Sequence, residues 1–310
     1  AVVFPGQGSQ QVGMLADLAA AYPELKESFK EASEALGYDV WDLVQNGDQE
    51  QLNLTEYTQP ILLASSVAIW RLWLSQGGDK PAAMAGHSLG EFSALVCAGA
   101  LEFADALRLV RARGQFMQTA VPVGVGAMAA VMGLDDDAIV EACRQSAGDE
   151  VVEAVNFNAP GQVVIAGHVG AVERASQACK DMGAKRAVGL PVSAPFHTSL
   201  MRPAGEKLEK VLADVRINTP EIPVVHNVHA QTESDPARIE TLLTEQIYSP
   251  VKWVGCVRQL VDSGVGVVLE CGPGKVLSGL NKRIHKPLNS YTSDAPASFE
   301  AALAAQKQEV

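Results

Sequence analysis

The sequence predicts an α/β fold on a parallel sheet with a smaller α+β unit inserted into it, and three observations carry that prediction. Apolar runs of strand length alternate with stretches of helical periodicity, starting from Ala1-Val2-Val3-Phe4. A serine framed by glycines, Gly86-His87-Ser88-Leu89-Gly90, follows the apolar run 82–85 and precedes Leu89, Phe92, Leu95 and Val96 at helical spacing. Between residues 123 and 190 the order changes to strand, helix, strand, strand, helix, strand, which is the ferredoxin-like unit.

In chain order, residues 1–4 form a strand that enters the glycine-rich turn Pro5-Gly6-Gln7-Gly8-Ser9-Gln10, and a helical pattern covers 12–18. Helices are expected over 23–36 and 60–74. The second holds the longest apolar run, 61–74, which Arg71 interrupts and which is shorter than the ~18 residues of a membrane span; Pro60 would sit near its first turn. After the serine turn comes a helical stretch over 105–119 carrying Arg108, Arg111 and Arg113. The inserted unit reads as strands over 126–132, 151–156, 162–166 and 185–190, helices over 135–147 and 169–182, and a turn over 157–161. Beyond it lie a helix over 203–215, a strand over 223–227, a helix over 251–263 and a strand over 265–270 that ends in Cys271-Gly272-Pro273-Gly274. The alanine-rich tail after Ser293 reads as a peripheral helix. The division is therefore a large α/β-hydrolase-like domain of residues 1–122 and 191–310 around a ferredoxin-like subdomain of residues 123–190.

Composition narrows the function classes. A net charge of −12 argues against a general nucleic-acid binder, and 19 % charged with 47 % hydrophobic residues is the profile of a compact enzyme. Five cysteines with no C-x-x-C pair indicate neither a disulfide framework nor a zinc knuckle, which fits a reducing cytoplasm. No signal peptide or membrane segment is expected.

A serine hydroxyl is a weak nucleophile until a base takes its proton, so Ser88 demands a histidine. His168 and His285 fall near expected surface turns, and a metal pair at His226 and His229 lacks a third ligand. His87 is fixed by the turn itself. His197 stands apart in the proline-bent segment Ser193-Ala194-Pro195-Phe196-His197-Thr198, where the insert rejoins the large domain and loops face a cleft; it is either the base or an ordinary polar loop residue. No acidic residue presents itself as a third member, so some other group, a backbone carbonyl for instance, must orient the imidazole. Gly6-Gln7-Gly8 fails the full dinucleotide fingerprint because position 11 is Gln. Its better use is a backbone N–H at Gln7 that would join that of Leu89 in an oxyanion hole. Arg113, with Met117 one turn on, is either a surface arginine or an inward fork for a substrate carboxylate.

Taken together, Phe4-Pro5-Gly6-Gln7-Gly8-Ser9-Gln10, Tyr57-Thr58-Gln59-Pro60, Gly86-His87-Ser88-Leu89-Gly90-Glu91, Arg111-Ala112-Arg113-Gly114, Phe157-Asn158-Ala159-Pro160, Pro195-Phe196-His197, Gln246-Ile247-Tyr248-Ser249-Pro250-Val251 and Glu270-Cys271-Gly272-Pro273-Gly274 resemble the free-standing malonyl-CoA:acyl carrier protein transacylases of bacterial fatty-acid synthesis. The resemblance implies Ser88 as nucleophile, His197 as base, the Gln7 and Leu89 N–H groups as oxyanion hole, and the Gln246 main-chain carbonyl in place of a triad acid. It further implies that Arg113 binds the malonyl carboxylate, that Phe196 restricts the space at malonyl C2, and that Gln59 and Asn158 stand near the site. The implied substrates are malonyl-CoA and an acyl carrier protein, with no cofactor beyond the coenzyme A thioester, no metal, no nucleic acid and no membrane, in a monomer. Carrier proteins of these systems are acidic, so Lys185, Arg186, Lys282 and Arg283 are the candidate docking charges. A serine esterase or thioesterase shares the serine turn and is the competing reading; a non-catalytic carrier-protein scaffold is the third.

Overall fold

A computed structural model describes residues 1–192 and 194–306; Ser193 of the proline-bent segment and residues 307–310 lie outside the described residues. Nine strands form two sheets among them. The chain opens with β1 (Val2–Phe4), α1 (Ala16–Ala21), α2 (Leu25–Leu36), α3 (Val40–Asn46), α4 (Gln49–Leu52) and α5 (Thr55–Ser75). It continues through β2 (Met84–Gly86), α6 (Leu89–Cys97) and α7 (Phe103–Thr119). β3 (Gly126–Met132), α8 (Asp136–Ser146), β4 (Val152–Ala159), β5 (Gln162–His168), α9 (Val169–Asp181) and β6 (Arg186–Gly189) follow. A short 3₁₀ turn (Ser199–Met201) leads to α10 (Arg202–Leu212), β7 (Val224–Val225), α11 (Pro236–Gln246), α12 (Trp253–Asp262), β8 (Val267–Glu270), α13 (Val276–Ile284), β9 (Asn289–Thr292) and α14 (Pro296–Gln306).

The larger sheet has the order β7-β2-β1-β8-β9 with every pairing parallel. The register sets Phe4 beside Gly86, so the chain leaves β1 and β2 at the same edge and delivers the Gln7 turn and the Ser88 turn side by side. The second sheet, β4-β5-β3-β6, is antiparallel throughout, and with α8 and α9 it forms βαββαβ. Ala129, Val131, Val163 and Ile165 turn toward α8 and α9. Met128, Val164 and Ala166 turn the other way, into the core of the large sheet, as the two-residue period of a strand requires. Backbone bonds join the two units: Val251 N–H donates to Val155 O at 2.7 Å and Phe157 N–H to Val251 O at 3.0 Å.

Three expected elements differ. The 12–18 helix begins only at Ala16, because Val12 N–H is taken by Gln49 Oε1 and Gly13 N–H by Val44 O, which ties this segment across to α3 and α4. α5 begins at Thr55 and carries Pro60 inside it; proline costs one bond there, and the Thr58 hydroxyl, bonded to the Leu52 and Leu54 carbonyls, fastens the turn that precedes it. The 157–161 turn shrinks to Pro160-Gly161, since β4 continues to Ala159 over register shifts that keep it paired with β5. His168, expected in solvent, accepts the Val151 N–H at 2.9 Å. Among the described residues no helix is long and apolar enough to cross a membrane.

Candidate active site

Ser88 stands between β2 and α6 with φ 51° and ψ −111°, a backbone region that side chains avoid and that aims the hydroxyl out of the turn. The turn closes only around glycine. A Cβ at Gly86 would lie 1.9 Å from the Gly90 carbonyl, and one at Gly90 would lie 2.1 Å from Phe4 O. Asn227, just past β7, clamps both sides: Ser88 N–H donates to its Oδ1 at 2.8 Å, and its Nδ2 donates to Gly86 O at 2.7 Å.

His197 Nε2 lies 2.8 Å from Ser88 Oγ, and its Nδ1 lies 2.8 Å from the Gln246 main-chain oxygen. A carbonyl can only accept, so Nδ1 carries the proton and Nε2 is left to accept from the serine. Gln246 is the last residue of α11, where carbonyls have no intrahelical donor, and its oxygen also accepts from Ser249 N–H at 3.4 Å. Glu153 of β4 accepts from Ser199 N–H at 3.0 Å and from its hydroxyl at 2.7 Å, so the insert anchors the histidine loop. Burial, then the Arg113 charge, pulls the His197 pKa down to about 3, against the opposing pull of the Gln246 carbonyl. The imidazole is therefore neutral at pH 7.

Arg113 is 1 % exposed. Its Nη1 donates to Gln59 Oε1 at 2.8 Å; its Nη2 donates to Gln246 Oε1 at 2.8 Å and to Ser88 Oγ at 3.2 Å. No carboxylate touches the guanidinium among the described residues, and burial lowers its pKa to about 10 while Glu91 opposes that shift. A buried cation held by neutral amides is a site for an anion. It faces a cavity of about 120 Å³ lined by Gln7, Gln59, Ser88, Leu89, Met117, Asn156, Phe196 and His197, with Met128 and Leu190 from the second sheet. Among the described residues the N–H groups of Gln7 and Leu89 donate to no protein acceptor.

Most of the expected site residues thus converge on one cavity. Asn158 does not line it: it meets His87, Oδ1 to Nε2 at 2.7 Å, and Asn156 supplies the cavity wall instead. The basic pairs stand apart from it. Arg186 and Gln162 flank Met132 across the strands, Arg283 donates to Gln162, and Lys185 covers Gly133, so these three cations gather at one end of the second sheet. Lys282 faces the groove of Ser290 and Tyr291. Sequence reasoning missed Asn227, Asn156 and the buried Glu91–His226 pair, Nδ1 to Oε1 2.7 Å. Glu91 was legible as an acid one turn past the nucleophile, but nothing local marks His226 as its partner.

The acyl transferase domain family matches residues 1–300. A malonyl CoA-acyl carrier protein transacylase of Salmonella typhimurium is 57 % identical over 303 residues, 98 % of each chain. The crystal structure of an acyl carrier protein S-malonyltransferase from Vibrio cholerae superposes with a TM-score of 0.95 at 57 % identity, over 97 % of this chain and 98 % of that one. A type II PKS acyl-carrier protein in complex with its malonyl-transacylase gives a TM-score of 0.97 at 53 % identity, over 98 % of both chains.

Proposed function

The chain belongs to the acyl transferase family, and from that premise we propose that it moves a malonyl group from coenzyme A to the phosphopantetheine thiol of an acyl carrier protein through a malonyl-serine intermediate. The observation that carries this reading is the Arg113 guanidinium, buried without a carboxylate partner among the described residues, 3.2 Å from the hydroxyl of a serine that is itself 2.8 Å from a neutral histidine. A simple esterase has no use for a buried cation beside its nucleophile.

In the first half of the reaction, the malonyl carboxylate engages the Arg113 fork and sets the thioester carbonyl over Ser88. Oγ attacks that carbon while its proton passes to His197 Nε2, and the oxyanion is held by the N–H groups of Gln7 and Leu89. Collapse breaks the C–S bond. His197 returns its proton to the departing sulfur, leaving the ester on Ser88. In the second half the carrier thiol gives its proton to His197 and attacks the ester, and the proton returns to Ser88. Thioester and thiol stand on both sides of the balance, so no cofactor is consumed. The imidazolium formed at each attack points Nδ1–H at the C-terminal end of α11, whose dipole favours positive charge.

Radiolabelled malonyl-CoA with and without carrier protein tests the proposal. Label that stays on the enzyme and moves to an added carrier thiol is expected; rapid release of free malonate instead would make the protein a hydrolase.

A further inference from the structure

We propose that Glu91 is the acid of this site, a positioning residue that acts through Gln246 on Arg113, which meets its side chain, and on His197, which meets its main-chain oxygen, without touching either. The inference rests on the acyl-transfer reading above. Glu91 is fully buried in the first turn of α6. Its Oε1 meets His226 Nδ1 at 2.7 Å, and its Oε2 accepts from Asn227 N–H at 2.8 Å and from Gln246 Nε2 at 3.0 Å. One carboxylate thereby ties the serine turn, the clamp that holds it and the end of α11.

The orientation of Gln246 gives this a chemical meaning. Its amide Nε2 donates at 3.0 Å to both Glu91 Oε2 and the Ser88 carbonyl while its oxygen accepts from Arg113 Nη2, so a single dipole stands between a buried acid and a buried guanidinium. The main-chain oxygen of the same residue receives His197 Nδ1. Two demands explain why the acid sits one amide away. The imidazolium of each attack needs negative charge nearby, yet a carboxylate directly on His197 would also lie against Arg113 and close the fork to substrate. Set behind Gln246, the charge still favours the Arg113 cation, leaves the guanidinium open and reaches the imidazolium only through Gln246. Its cost is mild competition with the malonyl carboxylate for Arg113.

That competition supplies a test that a purely structural role fails. Glu91→Gln is isosteric, keeping an oxygen for Asn227 and Gln246 while removing the charge. Malonylation and acetylation of Ser88 are followed by rapid quench and intact-mass spectrometry, with folding checked by circular dichroism. The saturating malonylation rate should fall about tenfold while the half-saturating malonyl-CoA concentration falls rather than rises, and that for acetyl-CoA stays put. An unchanged rate, or a slower rate with raised half-saturation for both donors, overturns the assignment. Should Glu91→Gln not fold, Glu91→Asp decides: with the charge withdrawn from Gln246, a slower rate with a lowered half-saturation for malonyl-CoA and an unchanged one for acetyl-CoA supports it, and any other pattern overturns it. Wild-type malonylation measured alongside tests the acyl-transfer reading separately, so failure of one is told from failure of the other.

Discussion

Arg113 is doubly engaged before any substrate arrives, because its Nη2 donates to the nucleophile and its charge is the second cause of the low His197 pKa. A malonyl carboxylate relieves both at once; an acetyl group relieves neither. Arg113→Ala should therefore erase most of the malonyl preference, a loss of roughly 2–5 kcal/mol, read as the ratio of malonyl to acetyl transfer rates. An unchanged ratio would sink the carboxylate fork. Phe196 is 7 % exposed and lines the cavity, so Phe196→Ser should raise the rate with methylmalonyl-CoA relative to malonyl-CoA, measured in competition between the two donors. At this scale Ser88 was legible from its glycine-framed turn, whereas His197 was one candidate in a bent loop and Arg113 was set apart from Arg108 and Arg111 only by the resemblance, because a side chain's direction is not written in its spacing. Asn227 and Asn156 were not legible, since their work depends on neighbours more than a hundred and about ninety residues away, Gly86 and Val251 respectively.

Among the elements, α11 has the most to hold, since its last residue meets His197 Nδ1 with its main-chain oxygen and Arg113 with its side chain. Asp235 caps its start, accepting the Ala237 N–H at 3.1 Å, with Pro236 as the first helical residue. The Asp-Pro pair was a readable start signal for a helix that periodicity alone left unassigned, and Asp39, which accepts the Asp42 N–H at 2.9 Å ahead of α3, was another. Asp235→Ala should cost about 1 kcal/mol, seen as a thermal midpoint lower by about 2 °C. The βαββαβ unit was the easiest part to read, because its strands alternate cleanly over a helical cover. Short strands such as β7, two residues long, carry no pattern of their own and owe their existence to the sheet beside them.

For the whole molecule, acid is the weak direction. The folded state keeps His197 neutral down to about pH 3, whereas the unfolded chain takes up the proton near the ordinary value of 6.5. The unfolded state then binds more protons at any pH between these, so stability rises with pH across that interval and is lost as pH falls through it. His197→Gln should show a shallower decline of thermal midpoint between pH 6.5 and 4. Charge also shapes the encounter with an acidic carrier: reversing Lys185, Arg186 and Arg283 should slow transfer to the carrier protein and spare transfer to free pantetheine, and equal loss with both acceptors would dismiss these residues as a landing place. The backbone stitch between β4 and Val251 bears on traffic. It ties β4, which carries Asn156, to Val251 in the segment just after Gln246, so one wall of the chamber of about 120 Å³ is fastened to the stretch that follows α11. On the proposed malonyl-serine route donor and acceptor take turns in that one chamber, so carrier protein supplied in excess should crowd out malonyl-CoA and slow the turnover that it is there to complete.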